Sequence, residues 1–138
     1  MANKPLRVIL DSNVLISAYV FGGKPEIILK QIIQEQIQGV TSPILISEFL
    51  EVLRKKFSVV SPDILEIQND IEELFEIVYP RMLLRIQKDD DDNRVLEAAL
   101  EGKCKYIVTG DKELLKLGVY QDIKIVTADQ FLKILEEN

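Results

Sequence analysis

The chain contains no histidine and no tryptophan, and only one cysteine, five prolines and six glycines in 138 residues. The missing histidine excludes the most. Without it there is no Ser-His-Asp triad, no Cys-His dyad, no histidine-bearing zinc site and no histidine pair for acid–base cleavage of RNA. Any hydrolysis must be run by carboxylates and metal. The lone Cys104 has no partner for an internal disulfide, and its place between Lys103 and Lys105 before an apolar run reads as a packed structural thiol in a reducing cytoplasm. No stretch has the apolar length of a membrane span, and the short apolar run near the start is interrupted by Asp11, so neither membrane insertion nor a signal peptide is expected. Linkers, low-complexity tracts and internal repeats are missing too. The length suits one core, so residues 1–138 read as a single domain.

Basic residues are also scarce relative to acids: 17 against 23, a net charge of −6. So acidic a chain lacks the global footprint of a nucleic-acid binder. Four clustered carboxylates on a metal would account for much of the excess, leaving about −2 for the rest of the chain. Acidity alone does not exclude RNA.

What is present is an alternation of strands and helices. Residues 6–11 (LRVILD) form a strand that leads to a helix near 13–20, broken by Gly22 and Gly23. Pro25 then opens a second helix at its favoured first position, with Ile28, Leu29, Ile32, Ile33 and Ile37 on it. A short strand at 39–41 precedes Ser42-Pro43, a cap and first-turn pair for a helix to about Lys56, and Ser61-Pro62 repeats that signal. A strand near 77–79 ends at Pro80. The acidic run 89–92 precedes a helix at 93–101, a strand at 106–109 and a short helix at 112–115. A last strand at 124–126 enters a helix opened by the capping box of Thr127 and Gln130. This alternation predicts an α/β fold with a parallel sheet covered on both faces.

Four acids stand where fold-building does not require them. Asp11 and Asp111 each follow an apolar run that reads as a buried strand, and in parallel α/β sheets ligands bind beyond the carboxyl ends of strands. Glu48 shares a helical stripe with Leu45, Phe49 and Val52, and Asp92 shares one with Val95, Leu96 and Ala99, so both face inward. Inward carboxylates meeting at one sheet edge repel and resist desolvation unless a cation joins them. Hard oxygen ligands favour Mg²⁺ or Mn²⁺.

Four segments resemble, in order and at suitable spacing, the PIN-domain family: 8–18 (VILDSNVLISA), 47–49 (SEF), 89–99 (DDDDNRVLEAA) and 107–115 (IVTGDKELL). The nearest branch is the small prokaryotic toxins of toxin–antitoxin pairs. The resemblance covers nearly the whole chain. It implies a metal-dependent ribonuclease for single-stranded RNA on a three-layer α/β/α sandwich with a central parallel sheet. Acidic ligands match Asp11, Glu48, Asp92 and Asp111, and accessory polar positions match Asn13 and Thr109. A homodimer held inactive by a cognate antitoxin is implied as well. One departure is Asp90, where relatives commonly carry proline. Residues 57–88 bear no signature of the family.

Each residue also has a plainer reading. Acids before a helix are usually caps or dipole partners, which suits Asp89, Asp90 and Asp91 and would suit Asp111. Glu48 is open to a buried salt bridge with a basic residue, and Ser12 reads as a cap of the first helix. The basic groups around Arg54, Arg81 and Lys112 read as solvated faces, with Tyr19 and Phe21 as candidates for base stacking. Two other functions compete. A haloacid-dehalogenase-like phosphatase needs a second aspartate two residues after Asp11, where Asn13 stands. A catalytically silent partner-binding domain is disfavoured by the presence of all four acids.

Overall fold

The computed structural model describes residues 4–137. Its elements are β1 (Leu6–Leu10), α1 (Ser12–Val20), α2 (Gly23–Ile33), β2 (Ile37–Thr41), α3 (Pro43–Phe57), α4 (Ser61–Leu74), β3 (Glu76–Ile77), α5 (Asp90–Glu101), β4 (Tyr106–Val108), α6 (Lys112–Leu117), β5 (Val119–Tyr120), β6 (Ile123–Val126) and α7 (Ala128–Glu136). The sheet has the order β3-β2-β1-β4-β6-β5. From β1 the chain moves outward through β2 to β3, then returns to place β4 on the other flank. The order therefore reverses between β1 and β4, the crevice where α/β sheets bind their ligands.

Alternation along the strands builds two cores. On β1, Val8 and Leu10 enter a core with Phe49, Ile71 and Phe131, while Ile9 between them enters another with Leu96, Ile107 and Leu114. Helices α1, α2, α4 and α7 supply the first core and α5 and α6 the second; α3 supplies the first mainly and the second through Leu45. The result is the expected three-layer α/β/α arrangement. At Gly39 the sheet meets the chain leaving α4 so closely that a Cβ would lie 2.6 Å from the Phe75 ring, so only glycine fits.

The structure corrects several expectations. The sheet is mixed, because β5 pairs antiparallel with β6 at an edge that sequence periodicity did not reveal in two residues. Pro25 is the third residue of α2, after Gly23; Gly22 and Gly23, at φ of 79° and 68°, turn the chain in a way that favours glycine. Ile37 opens β2 instead of extending α2. Ser61 is the first residue of α4 and caps nothing; Val60 occupies the cap position. The third strand is Glu76–Ile77, not 77–79, although the Val78 amide still donates to the Thr41 carbonyl at 2.9 Å. Helix α5 starts at Asp90, three residues earlier than expected, with Asp89 as its cap. α6 runs two residues further, to Leu117. Among the described residues no helix is long and apolar enough to cross a membrane.

Candidate functional site

The end of β1 places Asp11 at the crevice, 7% exposed. Its Oδ1 accepts from the Ser12 amide at 2.8 Å and its Oδ2 from the Thr109 hydroxyl at 2.7 Å. Thr109 Oγ1 in turn accepts from the Asp111 amide at 2.9 Å, which leaves its own proton for Asp11. On the other side, the Ser12 hydroxyl donates to Glu48 Oε1 at 3.0 Å. One chain of contacts thus runs Glu48, Ser12, Asp11, Thr109, Asp111, joining α3, β1, β4 and α6 at the switch point.

Asp92 joins this group by charge instead of hydrogen bonds. It sits in the first turn of α5, 6% exposed. Burial first, then the charges of Asp111, Asp89, Asp11 and Asp91, push its carboxyl up to about 7. Burial also raises Asp11, against the opposing bonds from Thr109 and Ser12, and Asp111 and Asp91 add to the rise. Glu48 is raised by burial too, opposed by its Ser12 bond and aided by Asp91, Asp11 and Asp89. Among the described residues no basic side chain contributes to any of these three shifts, and none forms an ion pair with Glu48. The salt-bridge reading of Glu48 therefore falls away.

The cap reading of Asp111 holds. Its Oδ1 caps α6 by accepting from the Glu113 and Leu114 amides at 2.9 and 3.0 Å. Both bonds fall on one oxygen, so Oδ2 remains for another partner. Asn13 is exposed on the first turn of α1 and makes no side-chain hydrogen bond in the described structure. Ser12 is not the cap of α1: Asp11 is, and Ser12 instead bridges Asp11 to Glu48.

Some partners were missed. Asp91 acts on Asp11, Glu48 and Asp92, whereas Asp90 acts on none of them. Both lie in the first turn of α5, set about 100° apart around it, so the face of the helix separates them. Asn93 and Glu97, buried at 0% and 6%, hold the segment that covers α5. Two polar residues at i and i+4 on an otherwise apolar face were the available signal. Of the stacking candidates, Tyr19 packs on Phe49 with ring centroids 5.6 Å apart, and burial pushes its hydroxyl up to about 12. Phe21 is 73% exposed and meets the Phe57 ring edge-on. Cys104 is buried and its thiol pushed up to about 12 by that burial, consistent with a structural role.

Among the described residues, no three of these side chains already stand so as to hold one ion. The donor set nevertheless fits a hard divalent cation. It offers oxygen only, its carboxyls are held in a form that a cation would relieve, and the ends of Asp92 and of the Asp111 Oδ2 are not consumed by other bonds.

A sequence model of the PIN domain matches residues 7–113, a span that contains all four acids. The chain belongs to the PIN-domain family. Members of that family are typically nucleases and generally use divalent metal ions. This PIN domain is 33% identical over 117 residues to the uncharacterized protein MJ1680 of Methanocaldococcus jannaschii, covering 81% of this chain and 75% of that one. Its fold is similar to the crystal structure of PAE2754 from Pyrobaculum aerophilum, with a TM-score of 0.61 and 14% identity over 98% of this chain and 92% of that one. It is also similar to VapBC-1 from nontypeable Haemophilus influenzae, with a TM-score of 0.60 and 17% identity over 90% and 99% of the two chains. At such identities the two structures bear on the fold.

Proposed function

We propose that this PIN domain is a Mg²⁺- or Mn²⁺-dependent endoribonuclease that cleaves single-stranded RNA, acting as the toxin of a toxin–antitoxin pair. The observation that carries the reading is the contact chain from Glu48 through Asp11 to Asp111 at the switch point, with Asp92 pushed up to about 7 and no basic side chain among the causes of these shifts. Asp11, Glu48, Asp92 and Asp111 are the residues that would hold metal, with Asn13 and Thr109 as accessory groups. When bound, a divalent ion supplies an acidified water and a Lewis acid for the phosphodiester.

The chain's own residues prepare that chemistry. Ser12 and Thr109 fix the rotamers of Glu48 and Asp11, and the Asp111 amide sets the direction of the Thr109 proton. The caps at Asp11, Asp89 and Asp111 place the acids at positive helix ends, which offsets part of their repulsion. The PAE2754 and VapBC-1 likenesses support the fold, and the name VapBC-1 motivates a cognate antitoxin as partner, with a cytoplasmic homodimer as the assembly. The phosphatase reading gains nothing from the geometry, because Asn13 in the general-acid place is exposed and carries no ionisable proton.

The test is cleavage by the purified protein, free of any inhibitory partner. Single-stranded RNA should be cut in Mn²⁺ or Mg²⁺, spared with chelator, and left with 5′-phosphate ends, because a water attacking in line expels the 3′-oxygen. Cyclic-phosphate ends, or cutting that survives chelator, would falsify the mechanism. Turnover of a phosphate monoester without RNA cleavage would favour the phosphatase.

A further inference from the structure

Residues 81–88 form neither helix nor strand, yet α5 fastens their backbone at several points. Asn93 Oδ1 accepts from the amides of Ile86 and Gln87 at 3.0 and 2.8 Å, and its Nδ2 donates to the Gln87 carbonyl at 2.9 Å. Glu97 Oε2 accepts from the Leu84 amide at 2.7 Å, while Arg94, paired to Glu97, donates to the Leu84 carbonyl at 3.3 Å. A third tie runs to α6, where Gln87 Nε2 donates to the Glu113 carbonyl at 2.9 Å. A buried amide and a buried carboxylate are costly unless satisfied, and here both are spent on one irregular strap.

The outer face of the strap carries Arg81, Arg85 and Lys88, all exposed, and none of the three forms an ion pair among the described residues. Exposed lysines elsewhere, such as Lys56, Lys103 and Lys124, form no ion pair either, so what distinguishes the strap's cations is their place beside α5. Lys88 lines a cavity of about 490 Å³ together with Asp92, Asp89 and Glu113, and Arg85 lines a second one with Leu83, Asp90 and Arg94. A polyanion approaching a carboxylate cluster is repelled, so its backbone needs fixed positive charge close by.

We propose that the strap is the nucleic-acid backbone site of this enzyme: Arg85 and Lys88 take phosphates flanking the cleaved bond, and Asn93 is the positioning residue that sets where they stand. The inference rests on the nuclease reading and extends it. Lys88 borders the cavity that Asp92 lines, which favours nucleic acid over an acidic protein as the occupant.

The test compares wild type with R85Q/K88Q and with N93L. Binding of a labelled single-stranded RNA oligonucleotide is followed by anisotropy across a KCl series, and KM and kcat are measured for its cleavage in Mn²⁺. R85Q/K88Q should flatten the slope of log K against log salt by roughly 1.4, at about 0.7 per phosphate contact on a single strand, and raise KM several-fold with kcat within about twofold. N93L should raise KM similarly, and combining it with R85Q/K88Q should add little, since the strap's cations are then already gone. Thermal melts check that each variant is folded; if N93L is not, N93S replaces it. If wild type cuts no RNA, the nuclease reading fails, while a salt-dependent oligonucleotide affinity lost in R85Q/K88Q still supports the strap. An unchanged slope and KM in folded R85Q/K88Q overturns the proposal and leaves the strap as a protein-facing surface.

Discussion

At the residue scale, the sharpest distinction lies within the run Asp89–Asp92. Asp92 is buried against the crevice with its carboxyl pushed up to about 7, whereas Asp90 is exposed and is not among the charges that raise Asp11, Glu48 or Asp92. Asp92→Asn should therefore abolish RNA cleavage in Mn²⁺ and Asp90→Asn should leave it within about twofold; equal loss would remove the case for a special role of Asp92. The same carboxyl gives a pH prediction for the chelated protein. Asp92 ionises near 3.9 when unfolded and near 7 when folded, so the folded state binds the extra proton between those values. Stability falls as pH rises through that window, and Asp11 and Glu48 shift in the same direction. Melts in chelator should run hotter at pH 5.5 than at pH 8, and Asp92→Asn should shrink the gap. A wild-type melt that rises with pH would contradict the placement of Asp92 among uncompensated acids.

At the scale of the element, caps and ligands prove not to be alternatives. Asp111 holds two amides of α6 through one oxygen and keeps the other available. Asparagine caps about as well as aspartate, so Asp111→Asn should leave the metal-free melt unchanged or slightly higher, while Asp111→Ala should lower stability by about 1 kcal/mol. Both should lose the stabilisation that Mn²⁺ confers. An intact Mn²⁺ shift in Asp111→Asn would reduce Asp111 to a cap. Elements of this kind were legible in the sequence where a long apolar period or a capping pair marked them, as at Thr127 and Gln130 or Ser42 and Pro43. They were not legible where tertiary pairing decided. Ile37 fits the helical stripe of α2 but pairs with Leu6 in the sheet, and Val119–Tyr120 is a strand only because β6 lies beside it. Asp89–Asp91 read as caps ahead of a helix at 93–101 because a run of like charges hides where a helix starts, and that reading concealed the action of Asp91.

For the whole molecule, the α/β architecture and the positions of Asp11 and Asp111 followed from strand ends, which is a property of sequence order, and Thr109 from the family resemblance; the bridge through Ser12 did not, because it joins residues 36 apart. The four acids also come from both sides of the sheet. Glu48 rides on α3, packed mainly into one core, and Asp92 on α5, packed into the other, while Asp11 and Asp111 extend from the central strands between them. A cation shared by these groups would tie the two cores across the switch point, and its binding energy would oppose unfolding of the whole chain. At ten times its dissociation constant Mn²⁺ should add roughly 1.4 kcal/mol, which for this length is a rise of about 3–6 °C in Tm. Asp11→Asn and Asp92→Asn should lose most of that rise even where their metal-free melts are higher than wild type, because each removes a ligand and a repulsion together. Asp90→Asn, which alters the same net charge without touching the crevice, should keep it. If all three variants kept the full rise, the ion would be binding to the acidic surface at large, and the convergence of Glu48, Asp11, Asp92 and Asp111 would be a feature of folding alone.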